Sequence, residues 1–159
     1  MKKEKFLGIV VTILLIGVVI QAVHTLEHVA QVIQKYALGL PAAHGLLGEF
    51  LDREPVHFTY NLIYLVLLAV VFVKVHPMRK KVSSLIYPLL LFALVVQSWH
   101  FVEHSVKMSQ HLAGFCIDCP GVLGTRENLI LLHFTYNFLV LVPATVALIK
   151  LKDFLAKRR

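Results

Sequence analysis

The chain has 159 residues, the length of one domain, and carries a formal net charge of +7. An apolar share of 58% and a mean hydropathy of +0.76 exclude an ordinary soluble domain and place the chain in the membrane class. The basic residues fall in clusters beside apolar runs rather than over one face, which argues against a nucleic-acid partner.

In chain order, Lys2, Lys3 and Lys5 precede a first apolar run, Phe6–Val23. No helix breaker follows until Gly39-Leu40-Pro41, so the helix is expected to continue past His28 towards Tyr36 or Leu38. Ala42–Val56, with Gly45, Gly48 and Pro55, reads as a loop. His57 opens a second span, Phe58–Val75, that Pro77 closes. The third span is Leu85–Trp99 with a polar extension, followed by a loop containing Gly114, Pro120, Gly121 and Gly124. The fourth is Phe134–Leu151, where Pro143 predicts a kink. Crossing a bilayer takes about 20 residues, which these four runs supply with their flanks.

Twelve of the sixteen basic residues flank the same ends of the spans: Lys2, Lys3, Lys5, Lys74, Arg79, Lys80, Lys81, Lys150, Lys152, Lys157, Arg158 and Arg159. Lys35, Arg53, Lys107 and Arg126 belong to the other side. The positive-inside rule then places both termini and the central loop in the cytoplasm. A bacterial or archaeal plasma membrane is the expected location, with the lipid bilayer as the first partner. A membrane-complex partner or a homo-oligomer is compatible with so small a chain.

The strongest feature is internal. His24-Thr25-Leu26-Glu27-His28 is echoed by His100-Phe101-Val102-Glu103-His104. His57-Phe58-Thr59-Tyr60-Asn61 is echoed by His133-Phe134-Thr135-Tyr136-Asn137. Adding 76 to a residue number carries each motif onto its copy without a gap, and also matches Gln21/Gln97, Gln34/Gln110, Gly45/Gly121 and Gly48/Gly124. We read this as a tandem duplication, with repeat A at 5–74 and repeat B at 81–150 of a single membrane domain spanning 1–159. The expected fold is an all-α integral membrane protein, a four-transmembrane-helix bundle built from a tandem two-helix repeat. Lys2–Lys5 followed by an apolar run also resembles a signal peptide. Cleavage is not expected, because that run carries half of a motif whose copy is internal.

Each His motif lies about 26–28 Å of helix from its basic flank, near the outer edge of a hydrocarbon core about 30 Å thick. Two-helix repeats related by an axis along the membrane normal would bring all four motifs together. His24, Glu27 and His28 share a helix face by their spacing, as do His57, Tyr60 and Asn61. Imidazole nitrogens with carboxylate oxygens form a first-row transition-metal ligand set. The candidate ligands are His24, Glu27, His28, His57, His100, Glu103, His104 and His133. Tyr60, Asn61, Tyr136 and Asn137 are expected to support them by hydrogen bonding. Zinc, copper and a histidine-rich iron site all fit this set, as two metals with open positions or as one metal with the remaining donors hydrogen-bonded around it, with the dinuclear arrangement expected and the site opening towards the outside. Haem between His57 and His133 fits less well, since it leaves the glutamates idle.

A structural alternative has Glu–His pairs merely tying helices together, but six histidines at one depth exceed what that needs. His-x-x-Glu-His also resembles the reversed zinc-protease motif, though a protease would not require every element twice. Cys116-Ile117-Asp118-Cys119 has no copy in the first half, where Leu40 and Ala43 stand. A loop disulfide is expected there, with a redox pair or a metal-acquisition point with His111 as alternatives. Gln31 is echoed by Lys107, so only Gln34 of the two glutamines has repeat support. His44 and His76 are read as interfacial. The expected activity is metal-dependent oxidation or hydrolysis of a lipophilic or extracytoplasmic substrate. Metal-ion handling or delivery, or a small structural or haem-binding subunit, are the alternatives.

Overall fold

The computed structural model describes residues 2–48, 53–114, 116, 119–124 and 128–158. Arg126 and Arg159, used above for topology, lie outside the described residues, as do Ile117 and Asp118 between the cysteines. The described residues form four long helices: α1 (Lys2–Val32), α2 (Glu54–Val75), α3 (Ile86–Leu112) and α4 (Leu129–Ala156). All four are long and apolar enough to cross a membrane.

The helix ends follow from local chemistry. Beyond Val32, α1 continues through a π-helical turn, Ile33–Ala37. It is closed by Gly39 at a φ of 64° and a bond from the Leu40 N–H to the Gln34 carbonyl at 2.9 Å. The helix α2 begins three residues before His57, because Pro55 presets the first turn after the extended Arg53. That places Glu54 on a helix, one turn from His57 and on its face. Similarly α4 starts at Leu129, so His133 is held in regular helix rather than at its mouth. Pro143 lies inside α4, where its missing N–H leaves the Leu139 carbonyl without its usual helical donor.

The helices form a ring in which α1 and α3 each pack against both α2 and α4. One inward stripe on every helix, spaced three and four apart, changes character along its length. On α1 it runs Leu7, Val10, Leu14 and Val18, then Gln21, His24 and His28. On α3 it runs Ile86, Leu90 and Ala93, then Gln97, His100 and His104. The stripes on α2 and α4 run the opposite way, from His57 and Asn61 to Val75, and from His133 and Asn137 to Leu155. The bundle is therefore layered, with histidines at one end, amides beneath them, and a floor that is apolar but for the buried Tyr64 hydroxyl. The outward faces carry exposed aliphatic side chains such as Ile16, Val19, Val66 and Val95, which suit lipid contact.

The lower core differs between the halves in a compensating way. Tyr64 is fully buried where the second half has Val140, and Gly17 stands where the second half has Ala93. A methyl at Gly17 would touch the Tyr64 ring at 3.4 Å, so the larger side chain faces the smaller residue.

A candidate metal centre of six histidines

Histidines 24 and 28 lie one helical turn apart on α1, and their Nε2 atoms are 3.2 Å apart. His57 of α2 completes a buried triad with them. His100, His104 and His133 form a second triad from α3 and α4, with 3.1 Å between the Nε2 atoms of His100 and His104. Within each triad the ligand nitrogens all lie within 4.8 Å of one another. Tetrahedral ligands bound at about 2.1 Å sit about 3.4 Å apart, so only a small inward movement separates each triad from a metal geometry. The two triads also touch. The His57 and His104 rings stack with centroids 5.5 Å apart, and His28 and His133 approach to 5.7 Å.

The tautomers are set by the other ring nitrogen. His133 Nδ1 donates to the Leu129 carbonyl at 2.8 Å, which leaves Nε2 an acceptor, buried and without a hydrogen-bond partner. His28 Nδ1 donates to Gln31 Oε1 at 2.7 Å. His104 Nδ1 donates to Glu54 Oε1 at 2.8 Å, and Lys107 holds the other oxygen of that carboxylate at 3.0 Å. Three imidazoles thus direct unprotonated Nε2 atoms into the cluster. This is the arrangement that metal-bound histidines adopt when their second nitrogen is tied down.

The structure gathers six of the eight expected ligands and places Glu27 and Glu103 elsewhere. Glu27 accepts from the Leu46 N–H at 2.6 Å and the Leu47 N–H at 3.1 Å. Glu103 accepts from the Val122 N–H at 2.6 Å and the Leu123 N–H at 2.8 Å. The reason is angular: residues at i+3 and i+4 lie about 100° apart around a helix, so Glu27 turns towards the loop while His28 turns inward. The loop is further held by Gln34, which exchanges two 2.9 Å hydrogen bonds with the Gly45 backbone. Gln110 does the same for Gly121 at 3.2 and 3.0 Å. Gly45 and Gly121 have φ of 80° and 77°, and a Cβ on either would collide with the glutamate carboxylate. The repeated Glu, Gln and Gly residues therefore form a loop clamp at the mouth of each half.

Tyr60 stacks on His24 with centroids 4.2 Å apart, and Tyr136 lies against His100 at 5.0 Å. Asn61 and Asn137 bond to the carbonyls of His57 and His133 at 2.9 and 2.8 Å. They also receive amide bonds across the repeats, from Gln97 to Asn61 at 2.9 Å and from Gln21 to Asn137 at 2.6 Å. These pairs tie α3 to α2 and α1 to α4 immediately below the histidines. Cys116 and Cys119 are disulfide-bonded. His76 lies at the far end of the bundle, bonded to Tyr87 at 3.0 Å.

A cavity of about 780 Å³ opens above the triads. His28 and His133 reach it from below, and Gln31, Glu54, Lys107 and Lys35 stand around them. Reading by repeat support passes over Glu54, Gln31 and Lys107, because the counterpart of Glu54 is Ile130 and that of Gln31 is Lys107. The face shared by Glu54 and His57 is the signal that finds the first of them.

Comparison with known proteins finds no matching family model, no matching curated protein and no matching solved structure. What stands is an all-helical bundle with four membrane-length helices and two histidine triads that could each hold a metal ion.

Proposed function

We propose that this is an integral membrane metalloprotein whose two histidine triads hold a dinuclear centre at the extracytoplasmic end of the bundle. The observation that carries this reading is the set of buried Nε2 lone pairs, one of them partnerless, aimed into a shared space by fixed tautomers. Burying such acceptors without a partner costs about 1–3 kcal/mol each, and a metal removes the cost. With both glutamates engaged in loop clamps the donors are all nitrogen, which favours copper or zinc over iron. Three protein ligands per metal leave an open position, the arrangement of catalytic rather than structural sites. Copper there would support oxidation, and zinc would support hydrolysis by an activated water.

The polar cavity is the route by which substrate reaches that open position. Beneath the amide layer the floor is apolar but for the single Tyr64 hydroxyl, too little for a continuing polar path, which favours a reaction site over ion passage. Contact among the six rings leaves no gap for a porphyrin, which tells against haem. The basic flanks support a reading in which both termini are cytoplasmic and the triads lie towards the outside. Metal analysis of detergent-purified protein is the test. Up to two equivalents per chain are expected, with one lost in His24→Ala and one in His100→Ala. Folded, metal-free protein after reconstitution with Cu²⁺ and with Zn²⁺ would overturn the reading.

A further inference from the structure

In the second repeat, hydrogen-bond polarity is fixed from the mouth of the bundle down to the amide layer. Glu54 Oε1 accepts from His104 Nδ1 at 2.8 Å, and Lys107 holds the other oxygen at 3.0 Å. Lys107 balances that carboxylate, and a further cation on the fully buried His104 would stand uncompensated. His104 is therefore neutral, and its Nε2 bears a lone pair. The 3.1 Å contact between the Nε2 atoms of His104 and His100 is then a hydrogen bond that His100 donates. His100 is neutral in turn, so its Nδ1 is an acceptor. It is buried and has no hydrogen-bond partner among the described residues.

The amide layer reaches the same place from below. Asn61 Nδ2 donates to the His57 carbonyl at 2.9 Å, a group that can only accept. Asn61 Oδ1 is left to face Gln97, which must present its Nε2 there, at 2.9 Å. Gln97 Oε1 is thereby turned away from Asn61, buried and without a donor among the described residues. Gln97 lies three residues before His100, on the same face of α3 and within side-chain reach. Helical side chains lean towards the helix N-terminus, which inclines His100 towards Gln97. Two buried acceptors thus stand one turn apart, and the tautomer of His100 is the reason that neither has a proton to accept.

We propose that Gln97 is the positioning residue that makes His100 a metal ligand, its Oε1 accepting the Nδ1–H that His100 must carry once its Nε2 binds a metal. The inference rests on the metal-centre reading above and deepens it. In the exchange an Nε2–H bond breaks, an Nδ1–H bond forms, and the ring stays neutral. Before it, the triad offers two Nε2 lone pairs, those of His104 and His133, and the His100 N–H is spent on the first of them. After it, three lone pairs face the ion and both orphaned acceptors are satisfied. Gln97 then does for His100 what the Leu129 carbonyl does for His133 and the Glu54 carboxylate for His104. Gln21 stands three residues before His24, and its Oε1 is likewise buried without a partner, so the repeat supplies the same acceptor beside the first triad.

The tautomer is read from the ring ¹⁵N chemical shifts of histidine-labelled protein in detergent, with His100→Ala identifying the His100 signals. His100 is expected to carry its proton on Nε2 in the apo protein and on Nδ1 after Zn²⁺ is added. Affinity is measured in a His24→Ala chain, which keeps only the second triad whole. Adding Gln97→Leu is expected to weaken Zn²⁺ binding there by about 10–100-fold. Gln97→Glu, which restores an acceptor, should bind at least as tightly as the parent. A role confined to tying α3 to α2 would lower stability without moving the tautomer. Zinc-bound His100 still protonated on Nε2 would overturn the inference, as would apo His100 already protonated on Nδ1, or parental affinity in Gln97→Leu. Should Gln97→Leu fail to fold, the wild-type shifts still decide. Failure of the wild type to bind Zn²⁺ or Cu²⁺ would instead overturn the metal-centre reading itself.

Discussion

The two halves of the molecule keep some things identical and change others, and the division between them is informative. The histidines, the amide pairs Gln21–Asn137 and Gln97–Asn61, and the clamps on Gly45 and Gly121 recur with nearly the same distances. Three positions differ around this frame. Glu54 has Ile130 as its counterpart, Gln31 has Lys107, and Trp99, whose Nε1 donates to the Tyr136 hydroxyl at 2.8 Å, has Val23. The frame builds two triads and closes two loops, while the differences fall on groups that touch the triads from behind. The shared residues build the two histidine triads, and the unshared ones alter what packs around them.

The clamps give the sharpest way to separate holding a loop from holding a metal. Glu27→Gln and Glu103→Gln each lose a charge-assisted bond and turn an amide N–H towards a backbone N–H. We expect a loss of about 3 kcal/mol in either half, read as denaturant or SDS unfolding in micelles. Metal content should stay at the wild-type value in both. A glutamate variant that remains as stable as wild type and loses metal would return the carboxylates to the ligand set.

A smaller effect is expected from Gly45→Ala and Gly121→Ala. An added Cβ meets the glutamate carboxylate, and the positive φ at each glycine strains any other residue. The loop can shift to relieve the collision at the expense of part of the clamp, so about 2 kcal/mol is expected from each. The two costs should match, because the clamps match. A cost confined to one half would show that the loops are held by different means despite the same hydrogen bonds.

Legibility in the sequence followed the same division. The spans were plain because apolar runs between basic flanks have few other readings, and the histidines were plain because the offset of 76 marks them twice. Glu27 and Glu103 were marked as well, but spacing alone groups i+3 with i+4, and the angle between those positions decides which one enters the site. Gln34 and Gly45 stood out as repeated without a visible purpose, since a clamp joins residues from a helix and a loop whose approach only the fold defines. Glu54 and Gln31 lack the repeat that marks the histidines, since Ile130 and Lys107 stand at their counterparts. Residues that distinguish two copies are, by construction, those that a search for repetition discards.

The smallest effect concerns the lower core, where the halves differ in bulk rather than charge. Gly17 faces Tyr64, and their counterparts are Ala93 and Val140. An alanine at 17 would place its methyl 3.4 Å from the Tyr64 ring, an ordinary contact that needs no rearrangement. Glycine inside a helix costs roughly 0.5–1 kcal/mol relative to alanine, so Gly17→Ala should be stabilising by up to about 1 kcal/mol. The same change made against a tighter ring would have the opposite sign, which makes the sign of the shift in apparent Tm the useful readout. A destabilisation would mean that Tyr64 presses more closely on α1 than its counterpart needs to on α3. Metal content should be indifferent to either outcome, since Gly17 lies within the apolar floor and the amide layer at Gln21 separates it from the histidines above.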